Sequence, residues 1–91
     1  MPKEQRTVQF TGMVQGVGFR FTACRLAVGF EVIGAVRNCR DGSVECVVEV
    51  ERTEIDAFLA QLEDRMSGYI HQRSQQTAPC SGQFSGFGVR Y

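Results

Sequence analysis

The chain passes from its first strand-like segment to its first helix-like segment through the sequence Gly12-Met13-Val14-Gln15-Gly16-Val17-Gly18-Phe19-Arg20. Before this turn, the alternation of apolar and polar residues in Val8–Thr11 predicts a half-buried strand. After it, apolar residues at three- and four-residue steps predict a helix. Gly16 and Gly18 therefore lie on a strand-to-helix turn, where a residue without a Cβ can adopt backbone angles that others avoid.

The composition of this turn is that of a loop that binds a small anion. The main-chain N–H groups of Gln15–Phe19 can turn toward one anion, and a helix that begins at Phe19 adds unpaired N–H groups and the positive end of its dipole. Arg20 adds a planar guanidinium that matches phosphate or carboxylate. Gly-x-Gly turns and first-turn arginines also occur where nothing binds, so the residues alone leave both interpretations open. No Gly-Lys-Ser/Thr follows, as a P-loop requires, and the third glycine of a dinucleotide-binding fingerprint is missing.

Two motifs in the chain resemble the signatures of the acylphosphatase family. Gly12–Arg20 resembles the first signature, and the second is matched by Val36-Arg37-Asn38-Cys39-Arg40-Asp41-Gly42-Ser43-Val44. Arg20 and Asn38 are separated by as many positions as the catalytic pair of that family. The C-terminal segment Phe87–Tyr91 resembles its closing strand, so the resemblance covers nearly the whole chain.

The resemblance implies an enzyme that hydrolyses the carboxyl–phosphate bond of small acyl phosphates to a carboxylate and inorganic phosphate. Arg20 and Asn38 are the implied catalytic residues: Arg20, with the loop amides, would hold the phosphoryl group, and Asn38 would position the water. The implied substrate-binding residues are Gln15, Gly16, Val17, Gly18, Phe19 and Arg20. Judged without the resemblance, an asparagine before a turn commonly bonds only its own backbone.

The resemblance implies no metal and no cofactor, because a mixed carboxylic–phosphoric anhydride has a good leaving group. In the family, the substrate itself is thought to take the proton. Inorganic phosphate is expected both as product and as competitive ligand. His71, the only histidine, is distant in sequence from both motifs, and we expect it to be an exposed structural residue.

The bulk composition narrows the class of protein. With 91 residues and 43% hydrophobic content, we expect a single domain over residues 1–91. Ten basic residues balance ten acidic ones, which argues against a protein that binds nucleic acid chiefly through phosphates. No apolar run reaches membrane-spanning length and no signal peptide is recognisable, so we expect a cytoplasmic monomer that does not bind membranes.

The order of the segments predicts an α+β fold. Strands are expected at about 7–13, 32–38, 43–51, 69–77 and 84–91, and helices at about 19–30 and 53–68. This order is that of a ferredoxin-like split β-α-β sandwich, βαββαβ plus a short C-terminal strand, with an antiparallel sheet and both helices on one face. The segment 69–77 is polar and glutamine-rich, so we expect it at an edge of the sheet.

Several local features lead to further expectations. We expect Gly29 to serve as the left-handed cap of the first helix, where the family usually has a glycine at the position of Glu31. Thr53–Asp56 resembles a capping box at the start of the second helix. The side chains of Glu45, Glu49 and Glu51 are expected on a solvated face of the third strand. The four cysteines match no zinc or redox spacing, which favours isolated thiols over a disulfide.

Two other functions remain open at this stage. Split β-α-β sheets carry RNA-recognition modules, and Gly86-Phe87-Gly88 echoes their aromatic motif, although on the last strand instead of the third. The other alternative is a module that binds acyl or carbamoyl phosphate without turnover. A similar domain stands at the start of a hydrogenase-maturation carbamoyl-transfer protein.

Overall fold

The structure is a computed structural model that describes residues 3–91. Its elements, in chain order, are β1 (Lys3–Gly12), α1 (Phe19–Phe30), β2 (Ile33–Asn38), β3 (Val44–Glu51), α2 (Arg52–Arg65), β4 (Ile70–Pro79) and β5 (Phe87–Arg90). The strands form one sheet in the order β4-β1-β3-β2-β5. The predicted α+β split β-α-β fold is confirmed, and β4 lies at an edge as expected. The first four strands pair antiparallel, whereas β5 pairs parallel with β2, so the sheet is mixed.

One face of the sheet and both helices enclose the core. Val8 and Phe10 of β1 are fully buried, as are the alternating Val44, Cys46 and Val48 of β3. The helices close this face with Phe19, Ala23 and Ala27 of α1 and Ile55, Phe58, Leu59 and Leu62 of α2. The period-two strand pattern and the helical stripes of the sequence therefore meet in a single core. Among residues 3–91, neither helix combines the length and the hydropathy that crossing a bilayer requires.

Strand β1 begins at Lys3, several residues before the predicted start. It is paired on both sides, with β3 and with β4, which extends the strand through polar residues. On the core face, the Arg6 guanidinium forms ion pairs with Glu4 at 2.7 Å and with Asp56 of α2. The side chains of Glu4 and Arg6 are only 9% and 8% exposed. Charged side chains can be buried when they are paired in this way. The start of β1 could not be predicted from the alternation of apolar residues, because its first residues are polar or charged.

Helix α2 does not begin with the predicted capping box. It starts at Arg52, directly after β3, so Thr53 lies inside the first turn, and in the described part of the chain no side chain caps the helix. The Arg52 side chain instead donates to the Glu4 carboxylate at 2.9 Å. The start of α2 is therefore set by the strand that enters it and by this contact with β1.

Helix α1 ends at Phe30, and Glu31 adopts the left-handed conformation that closes it (φ 55°, ψ 28°). The expectation that Gly29 is the cap is wrong, because Gly29 lies within the helix. Phe30 packs edge-on against Phe58 of α2, with ring centroids 6.2 Å apart. This contact keeps Phe30 in the helix and moves the left-handed residue one position beyond it.

Glu49 is fully buried on the face of the sheet opposite the helices, so the expectation of a solvated carboxylate is wrong for this residue. The connection between β4 and β5 folds over it. The carboxylate accepts hydrogen bonds from Gln5 Nε2 (2.7 Å), Ser81 N (2.9 Å), Ser81 Oγ (2.5 Å), Cys80 Sγ (3.2 Å) and Gly82 N (3.3 Å). It thereby attaches the connection to the sheet just before the chain enters β5.

We expect Gly29→Ala to raise the free energy of unfolding by roughly 0.5–1 kcal/mol, because alanine is the better residue inside a helix. Glu31→Gly should also stabilise the protein, because glycine adopts the left-handed conformation without a steric cost. Urea denaturation of both variants measures these changes. Destabilisation by Gly29→Ala would contradict the expectation that Gly29 behaves as an ordinary position inside the helix.

The second expectation concerns the acid stability of the protein. Burial by itself would raise the pKa of Glu49, but the hydrogen bonds from Ser81, Cys80 and Gln5 outweigh it and lower this pKa from 4.5 to about 2. Because the pKa in the folded state is the lower one, the carboxylate stabilises the fold above about pH 4.5, and this contribution is lost as the pH falls toward 2.

Urea titrations between pH 2 and 6 should therefore show a flatter pH dependence of the unfolding free energy in Glu49→Gln than in the wild type. Ser81→Ala removes one donor to the carboxylate and should give an intermediate profile. Identical profiles for Glu49→Gln and the wild type would contradict this role for the carboxylate.

Candidate active site

A cleft of about 410 Å³ opens where the β1–α1 loop, the end of β2 and the end of the chain meet. Gly16, Gly18 and Arg20 line it from the loop and the first turn of α1. Asn38 lines it from the end of β2, and Tyr91 from beyond β5. The two residues of the predicted catalytic pair, far apart in sequence, thus face one cleft.

The β1–α1 loop is held at both ends by buried side chains. Val14 is fully buried, and Phe19 is 2% exposed, with its ring 5.1 Å from that of Phe10. Between these anchors, Gly16 (φ 78°) and Gly18 (φ 80°) are in the left-handed region. A Cβ at either glycine would have nothing within 4 Å, which means that both positions face open space. At these two positions the loop therefore presents main chain, not side chains, to the cleft.

The N-terminus of α1 leaves donors available. Gly18 is the N-cap, no side chain of residues 3–91 caps the helix, and its first turn contains no acidic residue. The first helical hydrogen bond is donated by Thr22 N to Gly18 O at 2.9 Å. Within residues 3–91, the main-chain N–H groups from Gln15 to Phe21 donate no hydrogen bond. These N–H groups and the positive end of the helix dipole make the loop suited to an anion.

Arg20 is half-buried, and its guanidinium lies over the ring of Tyr91, with Cζ 5.6 Å from the ring centroid. In the part of the chain that the structure describes, Arg20 forms no ion pair. Its charge is therefore not neutralised there by a carboxylate and remains available to a bound anion.

Asn38 is the last residue of β2, half-buried and paired with Val44 of β3. The turn that follows is closed by Asp41, whose carboxylate accepts from Ser43 N (2.9 Å) and Ser43 Oγ (2.6 Å). Between residues 3 and 91, the Asn38 carboxamide makes no hydrogen bond. The role that an asparagine usually has before a turn is thus filled by Asp41.

Two of the predicted substrate-binding residues, Gln15 and Val17, do not line the cleft. Val17 is half-buried and packs against the core. The Gln15 side chain turns to the β2–β3 hairpin, where Nε2 donates to Cys39 O (2.8 Å) and Ser43 O (2.9 Å). Their main-chain N–H groups remain part of the loop.

Sequence reasoning missed several residues that line the cleft. Tyr91 and Val89 reach it only because β5 pairs parallel with β2, and no sequence motif indicates that pairing. Phe21 and Cys24 lie one residue and one turn beyond Arg20 on α1 and also line the cleft. The spacing of four residues between Arg20 and Cys24, which places both on one side of a helix, was the signal that could have located Cys24.

The histidine and the cysteines do not add an evident catalytic base or a metal site. His71 is exposed on β4 and does not line the cleft. Burial raises the pKa of the Cys24 thiol. All four cysteines are free thiols in the structure. Across residues 3–91, no three His, Cys, Asp or Glu side chains are grouped as ligands of a metal ion.

The family model of acylphosphatase matches residues 6–89 of the chain. The chain belongs to the acylphosphatase family. An acylphosphatase of Paenarthrobacter aurescens is 37% identical to it over 84 residues, which cover 91% of this chain and 89% of that relative. The family and the class of enzyme predicted from the two motifs are thus confirmed.

Solved structures support the fold of this acylphosphatase-family chain. The crystal structure of acylphosphatase from Bacillus subtilis superimposes with a TM-score of 0.87 at 24% identity, covering 97% of this chain and 99% of that one. HypF of T. kodakarensis contains a similar domain, with a TM-score of 0.83 at 28% identity. That match covers 97% of this chain but only 12% of HypF.

Proposed function

We propose that this chain hydrolyses small acyl phosphates to a carboxylate and inorganic phosphate, without a metal ion, in the cleft between the β1–α1 loop and Asn38. The observation that carries the proposal is the meeting of three features in one cleft, as described for residues 3–91: a helix N-terminus that no side chain caps, an arginine without an ion pair and a carboxamide without a hydrogen bond. Family membership supports the reaction class.

The loop and Arg20 would hold the phosphoryl group. Gly16 and Gly18 place no side chain between the N–H groups of the loop and the anion. The N–H groups between Gln15 and Phe21 can therefore bind several phosphoryl oxygens at close range. The guanidinium of Arg20 adds a fixed positive charge. Because these donors are in place before the reaction, they stabilise the charge that redistributes over the phosphoryl oxygens in the transition state without reorganisation.

Asn38 would place the attacking water. A carboxamide has an acceptor oxygen and two N–H donors, so it can accept a hydrogen bond from a water and direct the water's lone pair toward phosphorus. Holding water and phosphorus in line removes much of the entropic cost of the attack. The carboxamide is free to do so because the neighbouring turn is closed by Asp41.

The bond changes balance without a further catalytic group. The water oxygen forms a bond to phosphorus, the bond from phosphorus to the acyl oxygen breaks, and its electron pair leaves with the carboxylate. A carboxylate is a weak base, so its departure needs neither a general acid nor a Lewis acid. The proton of the water passes to a phosphoryl oxygen, and the products are a carboxylate and inorganic phosphate.

A module that binds acyl or carbamoyl phosphate without turnover is the second candidate, because a similar domain, at 28% identity, forms part of the much longer HypF chain. The RNA-binding alternative loses its main support, because the ring of Phe87 packs against Phe58 with centroids 5.6 Å apart. An aromatic side chain so placed does not stack on a base from the open face of the sheet.

We expect the purified protein to release phosphate from benzoyl phosphate, with competitive inhibition by inorganic phosphate and no loss of activity in the presence of a chelator. A phosphate-release assay measures all three. Tight phosphate binding without turnover would support the binding module instead. Loss of activity with the chelator, restored by a divalent ion, would contradict the metal-independent mechanism.

Arg20→Ala and Asn38→Ala should have different kinetic effects. Arg20→Ala is expected to lose roughly 2–4 kcal/mol of transition-state stabilisation in kcat/KM, the scale of one preorganised donor, and to weaken phosphate binding. Asn38→Ala should lower kcat while leaving the dissociation constant of inorganic phosphate nearly unchanged, because the water is absent from that complex. Val28→Ala, on the exposed side of α1, serves as the control. Turnover close to that of the control in either variant would refute the role assigned to that residue.

A further inference from the structure

The side chain of Gln15 joins the anion-binding loop to the hairpin that carries Asn38. Its Nε2 atom donates to Cys39 O at 2.8 Å and to Ser43 O at 2.9 Å. Both partners are main-chain carbonyls, which only accept, so the orientation of the carboxamide is determined by its contacts. The two N–H donors of the amide are both used, one on each side of the turn.

The two carbonyls lie next to Asn38. Cys39 follows Asn38 directly, and Ser43 O also accepts the bond from Cys39 N that closes the hairpin, at 2.8 Å. Val44, the residue after Ser43, pairs with Asn38 in the β2–β3 ladder. A side chain that holds both carbonyls therefore restrains the main chain on which the Asn38 carboxamide is mounted.

The sheet topology explains why such a link is useful. The loop follows β1 and Asn38 ends β2, but these strands are not neighbours, because β3 lies between them. Phe10 and Asn38 face each other across Val44, one on each side of it. Two strand spacings, roughly 9–10 Å, separate the two backbones. The hydrogen bonds between the strands therefore do not by themselves join the loop to the hairpin, and a further contact is needed.

We propose that Gln15 is a positioning residue: it holds the loop against the hairpin so that the bound phosphoryl group and the water on Asn38 stand in line. This inference rests on the function proposed above. The Gln15 side chain does not line the cleft, so it acts through Asn38 and not by contact with the substrate.

Two variants remove the link. Gln15→Met keeps the length of the side chain and removes both donors. Gln15→Glu keeps its shape and places oxygens against the two carbonyls. Because Gln15 is exposed, both variants should fold, as checked by circular dichroism and urea denaturation. With benzoyl phosphate as substrate, kcat should fall roughly 10-fold to 100-fold, the cost of a misplaced reactant, while the Kd of inorganic phosphate changes less than about threefold.

Gln9→Met provides a matched control. Gln9 Nε2 contacts the same two hairpin residues, at Ser43 Oγ (2.5 Å) and Cys39 Sγ (3.4 Å). It does so from β1, through their side chains, and within residues 3–91 its side chain forms no hydrogen bond to the loop. We expect its kcat to remain within about twofold of the wild type.

A double-mutant cycle distinguishes positioning from a general structural role. If Gln15 acts through Asn38, then Gln15→Met in the Asn38→Ala background should lower kcat by no more than about twofold further. If the losses in kcat from Gln15→Met and Asn38→Ala multiply fully in the double variant, the inference is wrong. Equal losses in kcat from Gln15→Met and Gln9→Met would also overturn it.

The cycle also separates this inference from the proposed function. If Asn38→Ala lowers kcat and Gln15→Met lowers it by its full factor again in that background, only the positioning role is contradicted. Normal turnover in Asn38→Ala removes the role of Asn38 and the positioning role with it.

Discussion

The left-handed turn at Gly16 and Gly18 is the constraint on which the candidate active site depends. It lies between two buried anchors, Val14 and Phe19, so the loop cannot move as a whole without disturbing the core. Because both glycines face open space, the chain reverses there without placing a side chain over the helix N-terminus. Helix α1 then begins with donors that no group of residues 3–91 uses, and with Arg20 in its first turn. The same turn thus ends β1, starts α1 and leaves the N–H donors that the proposed anion site requires.

The other wall of the cleft depends on a buried carboxylate far from it. Glu49 lies on the open face of the sheet and binds the connection that follows β4. From there, Gly34 N donates to Gly86 O at 2.9 Å, and β5 pairs parallel with β2. The chain path through this connection and β5 places the ring of Tyr91 beside the guanidinium of Arg20. A charge that would destabilise the fold if it were unpaired instead secures the C-terminal segment beside the site.

Some local predictions were wrong, and in each case tertiary contacts outweighed a local preference. Thr53 does not cap α2, because β3 continues directly into the helix and Arg52 contacts Glu4. Gly29 does not end α1, because Phe30 beyond it packs on Phe58. Glu49 looked like one of three equivalent outward carboxylates in an alternating strand. Alternation reports which face a residue is on, but not whether a distant loop covers that face.

The amino-acid sequence alone predicted the order of the elements, their inward faces and the two motifs that carry Arg20 and Asn38. It could do so because periodicity, glycine turns and motif spacing are properties of local sequence. The contacts between distant residues emerge only in the folded chain: the parallel pairing of β5, the burial of Glu49, the stacking of Tyr91 on Arg20 and the hydrogen bonds from Gln15 to the hairpin. These contacts join residues far apart along the chain, and their geometry follows from sheet order and packing, which no local pattern encodes.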